Sequence, residues 1–194
     1  MGLAFCAADP TPPDQAVSRT LSFSADDAAA RIFVYAPGAR PGTGENGIVH
    51  AADLRQAADS DRGSQSVYAA DGTNLFLSLD KWRAAQGTAE ITNVSDTSDK
   101  ISLKFTNLIA FGVYSAFLAD LENPGTTLRP IDGKGSANSF TAAEDGTASL
   151  DATAPVLLAS TQALVLIYHS DGIDHGPGPG AIGTDAHEQI IAPL

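Results

Sequence analysis

Three of the four histidines fall within a 19-residue stretch near the C-terminus: His169, His175 and His187. Imidazole nitrogens are common ligands of Zn²⁺ and Cu²⁺, and a carboxylate can complete the coordination or hold the second nitrogen of a histidine. The stretch therefore predicts a zinc or copper site formed by these three histidines and Asp171. Further acidic side chains nearby are Asp174, Asp185 and Glu188.

Strand pairing is expected to bring the histidines together. His169 ends an apolar run at residues 163–168, and His187 lies near the start of a last strand at residues 186–192. If these two strands pair in antiparallel fashion, both histidines lie at the same edge of the sheet. A directly opposed pair has Cβ atoms about 4.5–5.5 Å apart, which suits two imidazoles on one ion. His175 would then fold over from the connecting loop as the third ligand.

Other interpretations of the cluster stay open. Histidines at strand ends are often hydrogen-bonded and inert, and the domain would then be an adhesion or interaction module without a metal. A metal-dependent enzyme would use the same histidines with an open coordination position and Asp171 or Glu188 as the base. The leading hypothesis is a non-catalytic domain that binds a metal ion. The fourth histidine, His50, is distant in sequence but could reach the same edge.

Alternation of apolar and polar residues with a period of two dominates the chain. Ile101, Leu103 and Phe105 fall on one face of a strand, whereas residues 163–168 are apolar on both faces and suit a strand buried on both sides. Asp-Gly pairs, which favour tight turns, separate several such runs; one of them, Asp145-Gly146, predicts a hairpin. The pattern predicts an all-β fold, a single antiparallel β-sandwich or open barrel over residues 17–194.

One or two short helices are expected within this sandwich. The alanine-rich residues 50–59 are one candidate, and a turn capped by Ser78 is the other. Trp82 in that second helix is expected to close one end of the core. Tyr114 and Phe117 should lie on opposite faces of a strand, one in the core and the other at an edge or on a carbohydrate-binding surface.

Charge and composition exclude two classes of partner. The formal net charge is −12 and the acidic residues are mainly aspartate, so the surface repels nucleic-acid phosphates. No run of about 20 apolar residues is present, so no transmembrane helix is expected. A metal ion, a small molecule or a protein is left as the partner.

The N-terminal residues suggest export. Residues 1–16 contain a polar proline-rich stretch, which predicts a disordered tether or the remnant of a signal sequence. Cys6, the single cysteine, would be the lipid anchor if the protein is a lipoprotein. The expected location is therefore secreted, periplasmic or on the cell surface.

Overall fold

The computed structural model describes residues 18–25, 31–43, 47–122 and 128–194. Within those residues the chain forms fifteen strands and one short helix, and every strand ladder is antiparallel, which confirms the predicted all-β fold. The elements are β1 (Ser18–Phe23), β2 (Phe33–Tyr35), β3 (Gly42–Thr43), β4 (Val49–His50), β5 (Leu54–Gln56), β6 (Ser66–Tyr68), β7 (Asn74–Ser78), α1 (Leu79–Arg83), β8 (Gln86–Ser95), β9 (Ser98–Thr106), β10 (Val113–Asp120), β11 (Arg129–Pro130), β12 (Ser139–Thr141), β13 (Ala148–Ala154), β14 (Gln162–His169) and β15 (Ala186–Pro193).

Two larger sheets form the body of the sandwich. Sheet A has the strand order β1-β8-β9-β13, and sheet B has the order β11-β10-β14-β15, with β12 also paired to β10. Sheet C has the order β5-β2-β6-β7, and β3 pairs with β4. Among the described residues, Ser24, directly after β1, forms an antiparallel bridge with Ile191 of β15, which links sheets A and B at one side. No described sheet closes into a barrel, and the architecture is sandwich-like.

The period-two pattern places the core between sheets A and B. Ile101, Leu103 and Phe105 of β9 are buried and pack in one apolar cluster with Leu164 and Leu166 of β14. Complete burial of one such side chain stabilises the fold by about 1.5–3 kcal/mol. Below, the face of sheet B that points toward sheet A is called its inner face, and the opposite face its outer face.

The outer face of sheet B is buried as well. Val165 and Ile167 of β14 belong to a second apolar cluster that includes Phe117 of β10. The prediction of a strand buried on both sides is thereby confirmed. Tyr114 lies on the inner face and is also fully buried, so neither aromatic of β10 forms a carbohydrate-binding surface. That alternative was wrong because loops cover the face that it required to be open.

Helix α1 begins at the predicted cap and buries Leu79 and Trp82. The Ser78 hydroxyl accepts a hydrogen bond from the Lys81 amide at 3.3 Å. Trp82 is fully buried and packs with Ile32 and Val34 of the sheet C cluster, where it also meets the ring of Tyr168 edge-on. Trp82 is thus buried, in an apolar cluster that includes strands β2 and β6 of sheet C.

The second expected helix, at residues 50–59, was wrong. Those residues form the end of β4 and all of β5, and β5 pairs with β2 so that Leu54 lies opposite Tyr35. Asp53 adopts a left-handed conformation with φ of 61°, which an α-helix does not contain. Pairing with a buried strand outweighs the helix propensity of the alanines.

Asp145-Gly146 forms a tight turn, but not between paired strands. Gly146 has a φ of 76° and donates its amide to the Ala143 carbonyl at 3.0 Å. The strands on either side, β12 and β13, pair with β10 and β9 respectively. The turn therefore carries the chain from sheet B to sheet A, where a simple hairpin was expected.

The predicted tether and Cys6 lie outside the described residues. No helix in the part of the chain that the structure describes has the length and apolar character needed to cross a membrane.

A buried polar network joins sheet B to helix α1. The Tyr114 hydroxyl accepts a hydrogen bond from the Ile109 amide at 3.0 Å and donates to Gln189 Oε1 at 2.9 Å. Gln189 Nε2 in turn donates to the Trp82 carbonyl at 2.9 Å. Burial raises the pKa of the Tyr114 phenol, so the hydroxyl stays protonated and able to donate.

We expect Gln189→Met and Tyr114→Phe each to lower the free energy of unfolding by about 1–3 kcal/mol, because each leaves a buried partner without a hydrogen bond. The double variant should cost clearly less than the sum of the two, since both changes break the same bond. Urea unfolding of the four proteins measures this coupling. Strict additivity would contradict the network.

Candidate metal centre

The end of β14 and the loop that follows it bring three of the predicted ligands together. His169 is the last residue of β14, and the loop of residues 170–185 leads to β15. One potential ligand atom from each of His169, Asp171 and His175 lies within 4.8 Å of the other two. These three residues could therefore hold a metal ion.

Asp171 and His175 form the outer half of this group. His175 Nε2 lies 3.1 Å from Asp171 Oδ2, and both side chains are partly exposed. Two ligand atoms bound to one tetrahedral zinc ion, each at a bond length of about 2.0–2.1 Å, would lie about 3.3 Å apart. The observed distance is thus close to that of two ligands on a shared ion.

His169 forms the buried half. Its Nε2 lies 2.8 Å from the Ser115 hydroxyl, and both residues are almost fully buried. Its Nδ1 is buried and has no hydrogen-bond partner among the described residues. If Nε2 carries the proton and donates to Ser115, Nδ1 keeps a lone pair that is free to bind a metal.

The surroundings favour the neutral form of His169. Burial is the main cause that lowers the pKa of this imidazole, and the nearby His175 lowers it further, against the opposing effect of Asp171 and other carboxylates. A metal ion binds the neutral imidazole, so near neutral pH no proton competes for the ligand nitrogen.

Two more carboxylates lie around the group. Asp174 accepts hydrogen bonds from the Ser139 hydroxyl at 2.6 Å and from the Gly176 amide at 2.8 Å. The bond from Ser139 is the largest cause that lowers the pKa of Asp174, so the carboxylate stays charged. Asp185 accepts the Ala181 amide at 2.6 Å. Their negative charge adds to that of Asp171 and attracts a divalent cation.

The loop that carries these ligands is anchored at several points. Besides the Ser139–Asp174 bond, a Cβ atom added at Gly135 would lie 2.3 Å from the Pro177 nitrogen, so the 132–138 loop packs directly against it. The Ala70 amide donates to the Gly183 carbonyl at 2.7 Å and ties the far end of the loop to sheet C. Anchoring of this kind holds the ligands in place before a metal arrives.

The 132–138 loop owes its shape to Asp132. Its carboxylate accepts four main-chain N–H groups, from residues 134–137. Burial alone would raise the pKa of Asp132, but these hydrogen bonds outweigh it and lower the pKa to about 2. The loop fixed in this way lies directly against the loop that carries the candidate ligands.

A β-bulge sends His187 to the other face of sheet B. Val165 pairs with Ile191, and an unbroken ladder in that register would set His169 opposite His187. The register shifts by one residue after Leu166, leaving Gln189 without a partner in β14, and His187 lies opposite Tyr168. Residues opposite each other in an antiparallel ladder share a face, and neighbours along a strand alternate, so the two histidines point in opposite directions.

His187 has the surroundings of a structural histidine. It is fully buried, with Nε2 3.1 Å from the Ser170 hydroxyl and Nδ1 3.4 Å from the Arg31 carbonyl. The ring of Trp82 meets it edge-on at 6.2 Å between centroids. Burial is the main cause that lowers the pKa of His187 to about 4, so the ring is neutral near pH 7.

His50 and Glu188 also lie apart from the group of three ligands. His50 sits beside the Phe33 ring in the region of sheet C, with Nδ1 3.0 Å from the Ala51 carbonyl. Glu188 forms an ion pair with Arg31 at 3.7 Å.

Ser115 is the residue of the site that the sequence did not single out. It lies opposite Ile167 and therefore on the outer face of sheet B with His169. The sequence feature that could have indicated it is a serine within the mostly apolar strand β10, because a polar group inside a buried strand requires a hydrogen-bond partner.

Comparisons with models of known protein families, with curated proteins and with solved structures found no match to this chain.

We predict that the stability of the metal-free protein falls as the pH is lowered from about 6.5 to 4, partly because of His187. In the unfolded state the His187 imidazole takes up a proton below its ordinary pKa of about 6.5. In the folded state its pKa is about 4, so it takes up a proton only at lower pH. The unfolded state then binds more protons, and up to about 3 kcal/mol of stability is lost across this window. His169, whose pKa is also lowered, adds to the same slope.

Urea unfolding at a series of pH values measures this dependence. His187→Gln should flatten the slope, and Ser149→Ala, at an exposed position of β13, should leave it as in the parent protein. An equal slope in His187→Gln and the parent protein would contradict the assignment.

Proposed function

We propose that this chain is a non-catalytic metal-binding β-sandwich domain, in which His169, Asp171 and His175 bind one zinc or copper ion. The observation that carries the proposal is the close group formed by His169, Asp171 and His175, together with the buried Nδ1 of His169, which has no hydrogen-bond partner among the described residues. Leaving a buried polar atom without a partner costs about 1–3 kcal/mol. A bound metal ion would remove that cost.

The donor set favours zinc as the first metal to test. Two imidazoles and one carboxylate are ligands that Zn²⁺ accepts in a tetrahedral site, and Cu²⁺ also binds nitrogen and oxygen donors. Three protein ligands leave a fourth position for water or an external group. The partial exposure of Asp171 and His175 leaves that position toward solvent.

Ser115 acts in this proposal as a positioning residue. Its hydroxyl accepts the Nε2 proton of His169 and so fixes the tautomer in which Nδ1 carries the lone pair. Such hydrogen bonds to metal-binding histidines commonly contribute about 10–100-fold to metal affinity.

Two acidic residues, Asp171 and Glu188, are suited to act as a catalytic base, and both have other partners in this proposal. This favours a binding role over catalysis. Asp171 is used as a ligand, and Glu188 is paired with Arg31. The metal-dependent enzyme remains the alternative, since three ligands with an open position are also typical of catalytic zinc sites.

The proposal includes export of the protein. It is supported by the proline-rich residues 9–14 and by Cys6, which would carry a lipid in a lipoprotein. Mass spectrometry of the mature protein from its own host would detect a lipid on Cys6 or cleavage near it.

We expect isothermal titration of metal-free, untagged protein with Zn²⁺ to give one site per chain. His169→Ala, His175→Ala and Asp171→Asn should each weaken binding at least about tenfold, a loss of about 1.4 kcal/mol or more, because each removes a ligand. A parallel titration with Cu²⁺ establishes which metal is preferred.

The matched controls are the two histidines outside the group. His187→Gln and His50→Gln should bind zinc like the parent protein. Loss of binding in His187→Gln with retention in His175→Ala would overturn the proposed ligand set. No binding of zinc or copper by the parent protein would leave an interaction module without a metal as the better hypothesis.

Ser115→Ala should weaken zinc binding by about 10–100-fold while keeping one site per chain. In the metal-free parent protein, long-range ¹H–¹⁵N spectra should show the proton of His169 on Nε2, and in the variant this preference should be reduced. Ser149→Ala, at an exposed position of β13, is the control. Unchanged affinity and an unchanged tautomer in Ser115→Ala would contradict the positioning role.

A further inference from the structure

A second group of polar side chains lies at one end of sheet A. The positions of sheet A that face the core are apolar along most of its length, as Ile91 and Ile101 illustrate. At one end of the sheet, the residues on this same face are polar. Arg19 lies opposite Ile91, and Asn93 lies opposite Asp99. Polar residues at inward positions depart from the pattern that folding alone requires, and such departures often mark functional sites.

These residues line a cavity of about 280 Å³. That volume is just below the usual range of small-molecule sites, which begins at about 300 Å³, so the cavity suits a small metabolite. The lining combines charged or polar side chains with apolar ones. The lining residues are Arg19, Ile91, Asn93, Asp99, Leu157 and Leu158.

Hydrogen bonds hold the charged groups in place on either side of Leu158. Arg19 Nη2 donates to the Leu158 carbonyl at 3.2 Å, and the Leu158 amide donates to Asp99 Oδ2 at 2.9 Å. Asn93 Nδ2 donates to Asp99 Oδ1 at 3.3 Å. Asp99 is 6% exposed, so its carboxyl group is buried and is held in position by these bonds.

The hydrogen-bonding capacity of these groups extends beyond those bonds. A guanidinium carries five N–H groups, and the bond from Arg19 to Leu158 uses one of them. Each oxygen of Asp99 can accept a further hydrogen bond, and the Asn93 amide oxygen is an acceptor. The cavity thus presents donors for a carboxylate and acceptors for an ammonium group within one small volume.

We propose that this cavity binds a free α-amino acid with an apolar side chain. The ligand carboxylate pairs with Arg19, and the ammonium group pairs with Asp99 and the Asn93 oxygen. The side chain packs against the leucines that follow β13. A simple carboxylic acid would leave Asp99 unmatched, and a simple amine would leave Arg19 unmatched, so only the zwitterion satisfies both.

The test uses L-leucine as the probe with the full-length protein. Titration followed by ¹H–¹⁵N NMR should show saturable shifts of the Leu157 and Leu158 amides at millimolar leucine or below. Isovaleric acid, isoamylamine and N-acetyl-leucine amide, which lack one or both charges, should bind at least about tenfold more weakly, a difference of about 1.4 kcal/mol.

Variants separate recognition from structure. Arg19→Met and Asp99→Asn should each weaken leucine binding at least about tenfold, and Arg19→Lys, a milder change, should also weaken it because the planar fork is lost. Arg129→Met, at an exposed position of β11, and His169→Ala should bind leucine like the parent protein.

Three results would overturn the proposal. They are the absence of shifts at Leu157 and Leu158 with millimolar leucine, equal binding of isovaleric acid, and undiminished binding by Arg19→Lys together with Arg19→Met. Because His169→Ala removes a proposed metal ligand and leaves this cavity intact, the outcome is independent of the metal centre.

Discussion

The extra residue in β15 determines which side chains share a face at the histidine end of sheet B. At the bulge both Gln189 and Ile190 turn toward the core, where Gln189 binds Tyr114 and the Trp82 carbonyl. Between the bulge and the start of β15, each side chain therefore points to the face opposite to the one that it would occupy in an unbroken ladder. His187 therefore joins the aromatic cluster around Trp82, and His169 is left on the outer face, where its partners come from β10 and from its own loop.

The candidate ligands are consequently local in sequence. His169, Asp171 and His175 span seven residues, so bringing them together requires closing only a short loop, which costs little conformational entropy. The rigid part of the site is the strand, since Ser115 holds the His169 ring from the neighbouring strand. The loop part is braced by its contacts with the 132–138 loop and with sheet C. The three candidate ligands therefore come together without the pairing of β14 with β15, whereas the contact between Ser115 and His169 requires the pairing of β14 with β10.

Periodicity predicted the parts of this arrangement that follow from side-chain alternation. The strand β14, the cap at Ser78 and the burial of Trp82 all follow from patterns within a few residues. The helix expected at residues 50–59 failed because pairing with β2 outweighs local propensity. The position of His187 could not be predicted, since neither glycine nor proline marks the bulge at Gln189. The partners of Gln189 there are Tyr114 and the Trp82 carbonyl, which are distant in sequence.

The two buried histidines of sheet B differ in one physical respect, the number of ring nitrogens that have partners. His187 has both ring nitrogens within hydrogen-bond distance of oxygen atoms, so the hydrogen-bonding capacity of its neutral ring is satisfied without an ion. His169 has a partner on Nε2 alone among the described residues, its Nδ1 is buried, and its ring lies 5.3 Å from that of His175 between centroids. A ligand that binds only the folded state stabilises it by RT ln(1 + [L]/Kd), so a metal ion on His169 would raise the stability of the fold. The folded state therefore contains a buried nitrogen without a partner among the described residues, which costs stability, and a metal ion bound there would offset that cost.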